Sequence, residues 1–190
     1  MTRPVALVVS LFLLALPAGR AVAGNTLENV KKKGTISAGV RDTCPPFGFR
    51  DRDTGEYCGY DVDFVKTIAA RLGVKAIFTP VTPANRIPEL LEGGIDIIAA
   101  TMTKTPDRAR LVDFSDAYFV ASQKVIAKTG AVGSLGDLGG KKIGTAKGSA
   151  WEFNLRTKLP GATVVPFDKG ASALEALRKG EIDAVSTDER

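Results

Sequence analysis

The stretch Thr101-Met102-Thr103-Lys104-Thr105-Pro106-Asp107-Arg108 sets hydroxyls and a guanidinium directly after the apolar run Ile95 to Ala100. Those groups suit a carboxylate. Arg offers a planar fork that matches both oxygens, while Thr hydroxyls and the N–H groups leaving a strand end donate the remaining hydrogen bonds. Thr105-Pro106 reads as an N-cap followed by proline at the first helical position, so a short helical turn would fix where Arg108 points. On this octet alone the competing reading is a solvated surface turn, because charged side chains are usually exposed.

The composition removes other chemistries. The 190 residues include no histidine and only two cysteines, so common zinc constellations and Ser-His-Asp or Cys-His arrangements cannot be built. No catalytic group, metal or cofactor is expected. The formal net charge of +5 is mild, and the bases are spread among acids without a basic stripe and interleaved aromatics. Nucleic acid is therefore not an expected partner.

Arg3, the apolar run Val5 to Leu16, Pro17 and the small-residue sequence Ala21-Val22-Ala23 read as a signal peptide over residues 1–23, cleaved before Gly24. The apolar core is too short for a membrane span, which needs about 20 residues. Export bears on Cys44 and Cys58, which flank a strand-and-turn stretch from Phe47 to Glu56. They read as a disulfide pinning a hairpin, against the alternative of two buried thiols.

Past the signal the pattern alternates β and α. A helix over 26–33 stopped by Gly34 precedes a strand over 35–40, the hairpin, and a helix from Val62 to Leu72 with Phe64, Ile68 and Leu72 at four-residue spacing. A strand over 74–81, a helix over 85–91 and a continuous apolar strand over 95–100, of the kind buried on both faces, complete a first lobe, residues 24–125. A long strand-like run, Tyr118 to Lys128, leads through a Gly/Ser-rich linker over 129–140 into a second lobe, residues 126–190. There strands over 141–146, 162–167 and 182–187 alternate with helices over 149–159 and 171–179. Two α/β lobes leave a cleft, and in open α/β sheets ligands bind beyond the carboxyl ends of the strands.

The succession Gly39 to Phe47, Gly59-Tyr60-Asp61-Val62-Asp63, Asn85-Arg86-Ile87-Pro88, Thr103 to Arg108 and Val112-Asp113-Phe114-Ser115 resembles the family 3 periplasmic solute-binding proteins, the amino-acid receptors of ABC importers. The likeness runs from about Leu27 to the last residue, and Arg41 with Asn85-Arg86-Ile87-Pro88 is most similar to the glutamate/aspartate-binding branch. It implies a two-lobe α/β fold of the periplasmic-binding-protein type (type II). It also implies a periplasmic location, a small amino-acid ligand and a membrane permease as partner. By the same resemblance Arg108 clamps the ligand's α-carboxylate with Thr101, Thr103 and Ser149 adding donors, and Asp188 pairs with the α-ammonium. Arg41 and Arg86 select a second negative charge, Lys169 helps from the other lobe, and Phe47 supplies an apolar wall.

Three departures stand out. Cys44 replaces an aromatic before Pro45-Pro46-Phe47, Pro83 stands where the acidic-ligand branch tends to have serine, and the family normally continues past Asp188 through a return into the first lobe. A C-terminally incomplete fold is therefore expected. Other readings stay open: a receptor for glutamine or a basic amino acid, a periplasmic cyclohexadienyl (arogenate/prephenate) dehydratase on the same scaffold with Asp42 or Glu152 as its acid, and the ligand-sensing ectodomain of a signalling protein.

Overall fold

The computed structural model describes residues 25–188. The expected signal peptide, residues 1–23, lies outside them. Helix α1 (Thr26–Lys33) ends at Gly34 in the left-handed conformation that glycine adopts without strain, and the chain enters strand β1 (Thr35–Val40). Strands β2 (Thr43–Cys44), β3 (Gly48–Arg50) and β4 (Tyr57–Cys58) form a small antiparallel sheet with β3 in the middle. Helix α2 (Tyr60–Leu72), strand β5 (Lys75–Pro80), helix α3 (Arg86–Leu91), strand β6 (Ile97–Ala99) and the single turn α4 (Pro106–Ala109) follow.

In the first main sheet β1 lies between β5 and β6 and runs parallel to both. Ala38 and Val40 of β1 pack with Ala99 against Val62 and Val65 of α2. Burying a side chain of this size stabilises the fold by about 1.5–3 kcal/mol. The buried face of α2 is Val62, Val65 and Ala69, one residue or so round from the expected stripe, and Phe64 is exposed. Phe64 instead stacks on Tyr118, with ring centroids 4.9 Å apart. The apolar run 95–100 was expected to be covered on both faces. Only its centre forms β6, which lies at the sheet edge with Ile97 and Ile98 half-buried.

The second sheet contains strands β7 (Gln123–Ala127), β8 (Lys142–Ala146), β9 (Thr163–Phe167) and β10 (Ala184–Asp188), in the order β7-β10-β8-β9. β8 is parallel to β9 and β10, and β7 is antiparallel to β10. Helix α5 (Ala150–Lys158) contributes Leu155 to a core with Leu138, Ile143 and Ala184. Helix α6 (Gly170–Lys179) packs Ala173, Ala176 and Leu177 against Ile182 and Val185. The expected lobe boundary at 125/126 falls inside β7, all of which pairs with β10. The long strand-like run from Tyr118 is strand only from Gln123, because the Tyr118 hydroxyl is held in the first layer by Asp61 while β7 belongs to the second. The residues between span the two layers.

Cys44 and Cys58 are not joined by a disulfide, contrary to the sequence expectation. The register explains this: Cys44 lies opposite Gly48 and Cys58 opposite Phe49, on strands flanking β3. Two strand spacings amount to about 9.5 Å between Cα atoms, beyond the roughly 7 Å that a disulfide can bridge. Among the described residues no helix is long and apolar enough to cross a membrane.

Candidate functional site: a cleft lined by buried arginines

Strand ends of both main sheets converge on a cavity of about 370 Å³, a volume suited to a small organic ligand. From the first layer come Arg41 after β1, Pro83 after β5, Arg86 of α3, and Thr101 and Thr103 after β6. From the second come Thr145 and Ala146 at the end of β8, the first turns of α5 and α6, and Ser186 to Asp188 at the end of β10. Six of the nine residues singled out from sequence line this cavity: Arg41, Arg86, Thr101, Thr103, Ser149 and Asp188.

Arg86 is 2% exposed and Arg41 7%. The Arg86 Nη1 donates to the Ala100 carbonyl at 2.6 Å, and Nε of both arginines is buried without a hydrogen-bond partner. Burial first, then the positive charges of Arg108 and Arg41, pushes the Arg86 guanidinium down to about 9, so it remains charged at neutral pH. Among the described residues the one carboxylate on the cavity wall is Asp188, whose Oδ1 accepts from the indole Nε1 of Trp151. Trp151 was not singled out from sequence. The signal was available, since it is the chain's one tryptophan and follows Ser149 in the first turn of α5.

The start of α5 is occupied by its own side chains. The Ser149 hydroxyl caps the helix by accepting from the Glu152 N–H at 3.1 Å, which leaves its own proton to donate. The Gly148 N–H, a natural anion donor, goes to Glu152 Oε2 at 2.8 Å. Glu152 Oε1 also pairs with Arg156 at 2.9 Å, so both of its carboxylate oxygens are engaged around the start of α5.

Three predicted residues lie off the cavity wall. Arg108 points as its capped turn dictates, the Thr105 hydroxyl accepting from the Arg108 N–H, but its guanidinium donates to two carbonyls, Thr103 at 2.8 Å and Gly148 at 3.0 Å. It thus ties the first layer to the second, and burial lowers its pKa. Phe47 is buried against Phe119, centroids 4.7 Å apart, and Tyr60, 6.3 Å, while Cys44 and Pro45 before it meet the cavity. Lys169 is exposed just before α6, and the wall there is made by Gly170 and Ala171. Gly148 (φ +71°) comes so close to the first layer that a Cβ there would lie 2.9 Å from the Ala84 Cα. Gln123 of β7 binds this side together, donating to the Ser186 hydroxyl at 2.7 Å and accepting from Asn154 at 3.0 Å.

The ABC transporter glutamine-binding protein of Bacillus subtilis is 41% identical over 169 residues, which cover 86% of this chain. The chain spans 62% of that relative's length. The L-cystine-binding protein of Escherichia coli (strain K12) is 32% identical over 92% of this chain and 68% of its own. Among solved structures, an ancestral amino acid-binding protein described as a precursor of cyclohexadienyl dehydratase matches with a TM-score of 0.81 and 36% identity. That match covers 86% of this chain and 74% of the other, and the shared mixed α/β architecture is that of periplasmic binding proteins. The family model for bacterial extracellular solute-binding proteins, family 3, matches residues 36–190, and the chain belongs to that family.

Proposed function

We propose that this chain is the periplasmic receptor of an ABC importer, exported by a cleaved signal peptide, and that it captures an acidic amino acid, glutamate or aspartate, between two closing lobes. The observation that carries the choice of ligand is the charge of the cleft. Arg41 and Arg86 are both buried on its wall, each with an unpartnered Nε, against Asp188 as the one carboxylate there among the described residues. Arg41, Arg86 and Arg108 together outnumber the carboxylates of Asp188 and Asp61, so a ligand without net charge leaves positive charge in excess, whereas a second ligand carboxylate offsets it. In this reading Asp188 faces the α-ammonium, the threonines, Ser149 and Arg108 serve the α-carboxylate, and Arg41 and Arg86 receive the side-chain carboxylate. The closed lobes then present the ligand to a membrane permease.

Glutamine is the second reading. It is favoured by the name of the Bacillus subtilis relative and by the Ala100 carbonyl, which already takes one Arg86 donor. A thermal melt of the protein with L-glutamate, L-aspartate, L-glutamine, L-cystine and L-arginine separates the two. A ligand at a hundred times its Kd stabilises the native state by about 2.7 kcal/mol. A rise with the acidic pair alone supports the proposal, and an equal or larger rise with glutamine replaces it with the second reading. A melt raised by none of the five overturns both.

A further inference from the structure

Thr101 is the one non-glycine residue with positive φ among the described residues, at +50°, and it lines the cavity. A β-branched side chain is strained in that region, and such strain persists only where the surroundings over-determine it. Two buried charged groups do so here. The Arg86 Nη1 grips the Ala100 carbonyl at 2.6 Å, and the carboxylate of Asp61, 0% exposed, accepts the very next donor, the Thr101 N–H, at 2.9 Å. The two grips act on adjacent backbone groups of one short connection. The other Asp61 oxygen accepts from the Tyr118 hydroxyl at 2.9 Å, so both carboxylate oxygens are engaged. Tyr118 in turn begins the segment that leaves the first layer for β7.

A carboxylate at the start of α2 would be well placed for the helix dipole whether or not it were buried. Burial under the strand ends goes beyond that role. Burial raises the Asp61 pKa, and the Tyr118 and Thr101 hydrogen bonds oppose the rise. A site for an unfavourable buried charge that reaches forty residues along the chain to one backbone N–H has a positioning function.

We propose that Asp61 is a positioning residue of the ligand site: by holding the Thr101 N–H it keeps Thr101 in its left-handed conformation, with the cavity wall in the form that a ligand meets. The proposal rests on the amino-acid-receptor reading. Tyr118 is the second hand on the same carboxylate, fixing it against the root of the connection between the lobes.

The test is a double-mutant cycle of Asp61→Asn with Thr101→Gly, because glycine adopts φ +50° without being held. Binding is measured by calorimetry with L-glutamate and L-glutamine, and unfolding by denaturant on the ligand-free protein. In the native background Asp61→Asn, which presents an amide donor in place of one acceptor, should weaken binding of the better ligand by about tenfold, the size of the backbone strain released. In the Thr101→Gly background the same change should cost less than about threefold, since nothing strained remains to be held. Equal losses in both backgrounds overturn the proposal and leave Asp61 as a structural acid only. If neither amino acid binds the native protein the receptor reading fails separately. The unfolding cycle then still decides the grip: a smaller loss of stability in the Thr101→Gly background sustains it, and equal losses overturn it. Tyr118→Phe, which removes only the hydroxyl, should weaken binding less than Asp61→Asn, and an equal or greater effect would shift the positioning role from Thr101 to the tyrosine.

Discussion

Replacing Arg86 by glutamine should weaken the cleft's hold on glutamate more than its hold on glutamine. Arg86 is 2% exposed and bonded to the Ala100 carbonyl at 2.6 Å by the protein's own fold, so its dehydration is part of folding, and an arriving carboxylate bears only its own. Two opposite charges about 4 Å apart at an effective dielectric near 20 attract by about 4 kcal/mol. After the ligand's desolvation, a hydrogen bond between charged partners is worth about 1.5–3 kcal/mol net, whereas one to a neutral amide oxygen is worth about 0.5–1.5 kcal/mol. Arg86→Gln should therefore weaken glutamate by about 10- to 150-fold and glutamine by about 2- to 12-fold. Trp151 supplies the assay. It is the chain's one tryptophan, it lines the cavity, and its indole is bonded to Asp188, so its fluorescence should respond to a ligand ammonium arriving at that carboxylate. Calorimetry provides the second reading. Equal losses for both ligands would refute the assignment of the buried arginines to a second negative charge.

Gly148→Ala places a Cβ 2.9 Å from the Ala84 Cα at φ +71°, so ligand-induced compaction in small-angle scattering should vanish; unchanged compaction would remove Gly148 from the closing contact. A reductant should leave the melting temperature unaltered, because Cys44 and Cys58 are not bridged, whereas a native disulfide would register as a loss of about 3 kcal/mol. Asp137 accepts the Gly133 and Ser134 N–H groups at 2.9 and 2.8 Å, and these bonds hold its carboxyl below the usual carboxylate range. Its folded form binds fewer protons than the unfolded chain, so its contribution is present above the ordinary carboxylate pKa and disappears as pH falls through the depressed one. Asp137→Asn should flatten the acid limb of the stability curve, and an unaltered limb would contradict that linkage.

The alternation of elements was legible because local periodicity and left-handed glycines mark it: the limits of α1 and β1 agree between sequence and structure. What escaped depended on tertiary partners. Tyr118 to Ser122 is apolar and aromatic enough to read as strand, but among the described residues no strand pairs with it. Phe64 looked like core by spacing and covers Tyr118 instead. An even cysteine count suggested a bridge that the register of β2, β3 and β4 prevents. In the site, Arg41 was legible as a charge at the end of an apolar strand, and Arg86, at the start of a helix, through the family resemblance. The Trp151 indole on Asp188, 37 residues away, was not, and neither was the Gly148 carbonyl that takes an Arg108 donor across the cleft. Asp61 resembled any acid opening a helix until its burial was known.

The strand order of the second sheet also sets a schedule for its assembly. The three described strands of the first main sheet have all been made once Ala99 has, whereas β10, the last strand described, is inserted between β7 and β8. Until residues 184–188 arrive, β7 has no neighbour and β8 and β9 form a two-stranded fragment, which is marginal alone in water. A chain emerging from its N-terminus thus carries the described strands of the first sheet together while the second waits for its middle. Trp151 and Asp188 lie far apart along the chain, so their side of the cleft is assembled only when the strand that bears Asp188 is seated between β7 and β8.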